Sequence, residues 1–511
     1  MPRLASITSQ ALTGAGRSFS ATYSVTPAAD NVDEGSTLTI NVATTNVPNG
    51  TTLYYTLSSS LDFLPNANGS FSINSNSGSF DITPNEDNST EGPDNTQVMI
   101  RTGSIDGPIV VTSSIITIND TSTTPVSWDR QETMSNPNID TGSSSDRFGF
   151  GNAITDTYII IAADLEDAGV LSNQGVVYVY EIVNESTITL RHTLTNPNGG
   201  PNQFWGQRLD AQGDYLVVGD STSNKVQVYQ FSNMSGSTIS IADYTITEST
   251  ASSSFADTVA IDRGWIVVGD PGVNSSNGCA YVYNTATFSG SNITSPAHVL
   301  ENPYTNTGTA DRMGQTVDID KDQIVISMTG YNETANSLGR IMLYDKSNFT
   351  TTNVSSPDHF YDNPNDQANF GGANPHRVAI NQDAGLVAIC HQFYDAGAGI
   401  LQGRVYVIDT SGNLERILES PDAGADDRFG TTCVFTPNGD QLIVTMQNSS
   451  QATYVYNTST ILAQANPPLT SADYKRISGN FSPNTVSAND TRFVVGSQTS
   501  TILPQVFYKF Q

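Results

Sequence analysis

Side chains able to do chemistry are thinly spread in this 511-residue chain. Its five histidines, His192, His298, His359, His376 and His391, lie in separate segments, which argues against a shared metal or a nucleophilic triad. The three cysteines, Cys279, Cys390 and Cys433, are too few and too scattered for a disulfide framework or a zinc site, and read as buried thiols on strands. No glycine-rich loop leads into a helix, so a phosphate cradle is not indicated. Fifty acidic residues guarantee carboxylate pairs by chance, so glycoside cleavage does not follow from having two of them. The chain is not expected to be an enzyme. Binding remains, and Tyr304, Tyr331 and Tyr394 read as exposed loop aromatics suited to stacking on sugars or peptides.

The elements that must position such residues are strands. The polar part of the chain is mostly Ser, Thr, Asn and Gly, which favour turns and strand surfaces over helices. Runs such as "YIIIAA" (158–163), "YLVVG" (215–219) and "WIVVG" (265–269) are strand-length, β-branched, and bounded by turn residues. The fold class is all-β.

A unit recurs from residue 146 onward. It begins "DRFGFGNAITDTYIIIAADL" (146–165), then "NQFWGQRLDAQGDYLVVGDS" (202–221), "SSFADTVAIDRGWIVVGDP" (253–271) and "DRMGQTVDIDKDQIVISMTG" (311–330). It continues with "ANFGGANPHRVAINQDAGLVAIC" (368–390), "DRFGTTCVFTPNGDQLIVTM" (427–446) and a degraded "GNFSPNTVSANDTRFVVGS" (479–497). Each copy adds a strand of "GVVYVY" type (175–180), and a fourth segment such as "LRHTLTNPN" (190–198) leads to the next start. Four strands per unit at a spacing of roughly 50 to 60 residues is the stoichiometry of a propeller blade. The seventh copy lacks a fourth segment, while one of that type, "VSWDRQETMSNPN" (126–138), precedes the first copy. Residues 126–134 are therefore expected to complete the last blade and close a seven-bladed ring, leaving no free edge.

Phe148-Gly149, Trp205-Gly206, Met313-Gly314, Phe370-Gly371 and Phe429-Gly430 make the repeat over residues 126–511 resemble FG-GAP repeats, those of integrin-α-type seven-bladed propellers. The aromatic is expected to pack between blades and the glycine to allow close approach. Upstream, "VDEGSTLTINVATT" (32–45), "TTLYYTLSS" (51–59) and "TSSIITINDTS" (112–122) alternate apolar and polar residues, as in a β-sandwich. With "EDNSTEGPDNTQVMI" (86–100), this segment resembles Calx-β or immunoglobulin-like modules. The organisation is then an arm (1–19), a sandwich (20–120), a linker (121–125) and a propeller (126–511).

Both resemblances imply calcium as a cofactor. In the sandwich Glu34, Asp87, Glu91 and Asp120 match acidic positions of Calx-β modules and would supply an oxygen cage. In the propeller the loops 164–175 and 270–278 lack most of the alternating Asp ligands of integrin-type blades, so Asp164, Glu166, Asp167 and Asp270 read as turn residues. The box Ser-x-Asp-x-Gly-x-Thr-Trp of sialidase-type propellers is absent.

The balance of 21 basic against 50 acidic residues, a formal charge of −29, excludes nucleic acid and anionic membrane as partners that need a basic footprint. No apolar run approaches a membrane span, and the first twenty residues hold no secretory signal segment. The ensemble resembles virion structural proteins of tailed bacteriophages, either tail fibre or baseplate components or head or tail decorations. That resemblance implies localisation in the virion and contact with other virion proteins through arm and sandwich. It also implies multiple copies or a homo-oligomer, and a propeller displayed toward a host-surface glycan or protein. The alternatives are a bacterial extracellular adhesin and a propeller carbohydrate-active enzyme.

Overall fold

The computed structural model describes residues 20–58, 67–85, 89–90, 94–105, 107–119, 124–125, 127–138, 146–167, 171–184, 187–304, 310–331, 339–364, 370–371, 377–395, 401–422, 427–447, 451–463, 474–478, 485–497 and 503–510. They fall into two compact units, the second spanning Trp128–Lys509, and the fold is all-β.

In the N-terminal unit the alternation read from the sequence is the alternation of burial. Leu38–Thr45 buries every second residue. It lies between Thr22–Pro27 and Ser77–Ile82 in one antiparallel sheet. A second sheet runs in the order Ile109–Thr112, Val98–Thr102, Thr51–Leu57, Asn68–Ile73. The two share one core in which Ile40, Ile73, Val98 and Ile100 are fully buried. Each such side chain contributes about 1.5–3 kcal/mol by burial. Tyr55 of one sheet stacks on Phe80 of the other at 3.9 Å.

The C-terminal unit consists of seven predominantly antiparallel sheets among the described residues, laid down one after another along the chain. Their first strands are Phe148–Ile154, Arg208–Gln212, Thr258–Asp262, Met313–Asp320, Val378–Asn381, Phe429–Phe435 and Val486–Ala488. The second strands, such as Tyr158–Ala163 and Gln441–Met446, are apolar on both faces because each is covered on both sides. The first strand of each sheet touches that of the next, and the seventh touches the first. Between these last two, Ser487 Oγ donates to Asn152 Oδ1 at 2.7 Å and Asn489 Nδ2 to the Thr155 carbonyl at 3.0 Å. The seventh sheet runs in the order Ser127–Thr133, Gln505–Phe510, Arg492–Val495, Val486–Ala488, so its outer strand comes from the start of the unit. Met134 N donates to the Pro504 carbonyl at 3.0 Å and Tyr508 Oη to Glu132 Oε2 at 2.6 Å.

The recurrent aromatic is a packing element. Trp205, Phe255, Phe370 and Phe429 are fully buried, and Phe148 nearly so. Each meets a tyrosine of its own sheet's third strand edge-on: Phe148–Tyr178, Trp205–Tyr229, Phe255–Tyr281, Phe370–Tyr406 and Phe429–Tyr454, at 5.3–6.4 Å. Such contacts contribute about 0.5–1.5 kcal/mol beyond burial. The glycine before the preceding sheet's third strand lies against the backbone of this residue: Gly278 bridges Met313 and Gly403 bridges Phe429.

One element escaped the sequence reading. Short strands Thr238–Ile239, Asn292–Ile293 and Asn353–Val354 each leave their own sheet and pair in parallel with the outer strand of the preceding one. They tie adjacent sheets at the rim and cover an edge that would otherwise present free backbone groups. Their signal was present: "NMSGSTIS" (233–240), "TFSGSNIT" (287–294) and "NFTTTNVS" (348–355) recur at matching positions.

Candidate functional site

A groove of about 920 Å³ lies at the outer ends of the second, third and fourth sheets. Asn274, Tyr281, Ser295, Glu301, Tyr304 and Asn353 line it, and no basic side chain does so among the described residues. One rim is the turn Val273–Ser276, where Asn274, Ser275 and Ser276 take φ values of 52°, 62° and 69°. Three successive non-glycine residues in the left-handed region cost roughly 1–2 kcal/mol each. The turn persists because its neighbours hold it: Arg312 N donates to the Ser276 carbonyl at 2.9 Å, Met313 N to that of Asn277 at 3.0 Å, and Asn302 Nδ2 to the same Asn277 oxygen at 3.0 Å. Backbone strain held in this way at the rim of a groove is a mark of functional sites.

The carboxylates of the groove are also fixed. Glu301 Oε1 accepts from Asn353 Nδ2 at 2.5 Å, and Glu248 Oε1 accepts from Thr250 N and Oγ1 at 3.1 Å. Cys279 lies at the back, where burial pushes its thiol up to about 12, far from the range of a nucleophilic thiolate. The groove therefore offers amides, hydroxyls, anchored carboxylates and aromatic surface, a set that binds polyhydroxylated ligands by hydrogen bonding and stacking.

The three tyrosines singled out in the sequence have different fates. Tyr304 lines the groove, with its hydroxyl accepting from Arg340 Nη1 at 2.5 Å. Tyr331 is buried, only 5% exposed, so its reading as an exposed recognition residue is corrected: it packs at 4.7 Å against Tyr304. The reason is Arg340, whose guanidinium lies 4.8, 4.2 and 4.1 Å from the rings of Tyr304, Tyr331 and Phe360 and is bound at both ends by Asp362. The next sheet repeats the device: half-buried Tyr394 lies 3.7 Å from the Arg404 guanidinium, which pairs with Glu419.

Of the four acids matched to Calx-β positions, Glu34 is buried at 9% exposure, its backbone N bonded to the Asn119 carbonyl. Asp87, Glu91 and Asp120 lie outside the described residues. No group of three His, Cys, Asp or Glu able to hold a metal exists among the described residues, so a calcium cage is not assembled from them. The propeller acids are structural. Arg147 and Gln207 hold the buried Asp164, whose carboxyl burial raises to about 6 against their pull. Glu166 accepts from Tyr178 Oη at 2.5 Å, Asp167 from Asn173 N at 2.8 Å, and Asp270 from Ser252 N at 2.9 Å. His192 and His298 each place Nδ1 against a carbonyl of the neighbouring rim strand's turn, at 2.7 and 2.8 Å. His376 lies outside the described residues.

A second hollow, about 430 Å³, is lined by the first strands of all seven sheets and by Asp156, Asp210, Asp262, Asp318, Asp320 and Asp490. These acids clamp neighbouring sheets: Asp210 accepts from Ile261 N, Asp318 from Ile380 N, Asp262 from Lys321 N and Asp320 from Gln382 N, at 2.6–2.9 Å. Enclosure pushes the Asp210 carboxyl up to about 7 and that of Asp318 well above the usual range, although the backbone donors favour the charged form.

No family model and no curated protein matches the chain. Among solved structures it is similar to a Bacteroides thetaiotaomicron protein of unknown function, at 9% identity over 96% of this chain and 98% of that one, TM-score 0.37. It is similar also to the β-propeller domain of the trilobed protease from Pyrococcus furiosus, at 9% identity over 72% and 96%, TM-score 0.40. A third is the periplasmic gluconolactonase of Pseudomonas aeruginosa, at 13% identity over 75% and 94%, TM-score 0.38.

Proposed function

We propose that the chain is a non-enzymatic structural protein of a phage-type virion, a tail fibre, baseplate or decoration component. Its N-terminal unit is a β-sandwich that contacts other virion proteins. Its C-terminal unit is a seven-bladed propeller of FG-GAP type, closed by Ser127–Thr133 and displayed for host-surface attachment. The cyclic contacts of the first strands and the pairing of Ser127–Thr133 with Gln505–Phe510 support the closed ring. The groove lined by Tyr304 carries the attachment reading, because a strained rim turn and a dense set of fixed polar groups suit a neutral host-surface glycan. The formal charge of −29 keeps the particle off anionic membrane and nucleic acid.

Ser295 is exposed and lines the groove, so Ser295→Trp fills it without touching the core. The variant is expected to lose at least tenfold in binding to host-surface glycan on an array while its melting temperature stays within about 2 °C of the parent. Unchanged binding by Ser295→Trp contradicts the groove as the attachment site. Release of reducing sugar from that glycan by the parent favours the enzyme reading.

A further inference from the structure

The groove lined by Tyr304 presents acceptors for which its own walls supply no donors. Cys279 and Tyr281, two residues apart on the third strand of the third sheet, project to the same side of it. Glu301, the last residue of that sheet's outer strand, stands opposite Cys279 in register. Glu248, just beyond the second sheet's outer strand Tyr244–Ile246, is tied to the same side through Thr250, whose Oγ1 lies 3.2 Å from Tyr281 Oη. All five residues line the groove, and both glutamates are half-buried.

These contacts fix the direction of the hydrogen bonds. A carboxylate oxygen only accepts, so Thr250 Oγ1 donates to Glu248 Oε1 at 3.1 Å. The Thr250 hydroxyl has one proton, so Tyr281 Oη donates to it and is left as an acceptor. Glu248 Oε1 accepts also from Thr250 N at 3.1 Å and Ser249 Oγ at 3.2 Å, and Glu301 Oε1 accepts from Asn353 Nδ2 at 2.5 Å. Each carboxylate therefore uses one oxygen on neutral donors and leaves Oε2 without a partner among the described residues. Asn302, between them and Tyr304, has its amide in use: Nδ2 donates to the Asn277 carbonyl at 3.0 Å and to Asp311 Oδ2 at 2.9 Å, and Oδ1 accepts from Tyr304 N at 2.9 Å. Bulk water satisfies such free oxygens, and a ligand that displaces it must bring donors of its own. Anionic ligands are repelled, because no basic side chain lines the groove among the described residues. The rest of the lining includes Asn274, Thr294 and Ser295, neutral groups that donate and accept, which suits several hydroxyls better than one cationic group.

Resting on the groove as the attachment site, we propose that its ligand is a glycan of neutral hexoses with unsubstituted hydroxyls, which donate to Oε2 of Glu248 and Oε2 of Glu301. The two glutamates then select against acidic sugars and against sugars whose hydroxyls are capped.

The test is calorimetric titration of the full chain with malto-, cello- and manno-oligosaccharides, with the same sugars O-methylated, with oligogalacturonate and with glucosamine oligomers. Saturable binding of at least one neutral oligosaccharide is expected, lost on O-methylation and absent for oligogalacturonate. Glu248→Gln and Glu301→Gln each place an amide donor at the Oε2 position and keep an oxygen for the wall contact. Each should weaken binding by about tenfold or more, with a melting temperature within about 2 °C of the parent. Binding lost in Ser295→Trp but unchanged in both glutamate variants overturns this inference and leaves the groove as the attachment site. Binding unchanged in all three variants overturns both. Binding of none of the neutral oligosaccharides, or tighter binding of the glucosamine oligomers, also overturns the inference, the latter in favour of a cationic ligand.

Discussion

Gly403→Ala should destabilise the C-terminal unit by about 3–5 kcal/mol, read as a fall in the midpoint of urea unfolding. The glycine sits at φ +74°, where an L side chain is strained, and a Cβ there would stand 2.1 Å from the Phe429 carbonyl oxygen, 2.6 Å from its nitrogen and 2.9 Å from its carbonyl carbon. All three are backbone atoms of the neighbouring sheet, so no side-chain rotation relieves the clash. Left-handed strain contributes about 1–3 kcal/mol and overpacking about as much again. Gly385→Ala is the control: at φ +67° it is strained as well, but nothing lies within 4 Å of the added Cβ. A cost confined to backbone strain, about 1 kcal/mol, is expected there.

Trp205→Ala should cost about 4–6 kcal/mol in the same measurement. The indole is fully buried between the first and second sheets, among Val177, Val179, Leu194 and Leu216. Removing it leaves a cavity and also strands Gln227, which is itself fully buried and accepts the indole Nε1–H at 3.0 Å. Trp205→Phe refills most of the volume but still leaves the Gln227 oxygen without a donor, so a cost of about 1–3 kcal/mol is expected. The difference between the two substitutions separates the packing role of the aromatic from its polar one.

Trp205 was legible in the sequence because its position repeats. Phe-Gly and Trp-Gly pairs at a fixed place before two apolar runs mark where sheets meet, and the structure places the aromatic between sheets with the glycine backbone against its neighbour. The third copy departs from the motif and keeps the geometry: Phe255-Ala256 stands where the first, second, fourth, fifth and sixth copies have glycine, with Ala256 at φ 69°. The outer strand contributed by Ser127–Thr133 was legible from phase alone, since one end of the repeat lacked what the other had in excess.

The sites were far less legible. Tyr331 looks like a loop aromatic in sequence, yet the demand of the Arg340 guanidinium for a partner with a π-face, 9 residues from Tyr331 and 36 from Tyr304 along the chain, draws the two tyrosines together. The groove depends on segments 248–250, 273–274, 294–296 and 352–353, from three successive copies of the repeat, and no single window shows their convergence.

The central claim is a closed ring whose last sheet takes its outer strand from the start of the unit. Amide hydrogen exchange on the intact chain tests it most directly. Backbone amides of Ser127–Thr133 and Gln505–Phe510 are expected to exchange slowly and to lose protection together, with the rest of the seventh sheet. Rapid exchange through Ser127–Thr133 while Arg492–Val495 stays protected would contradict it.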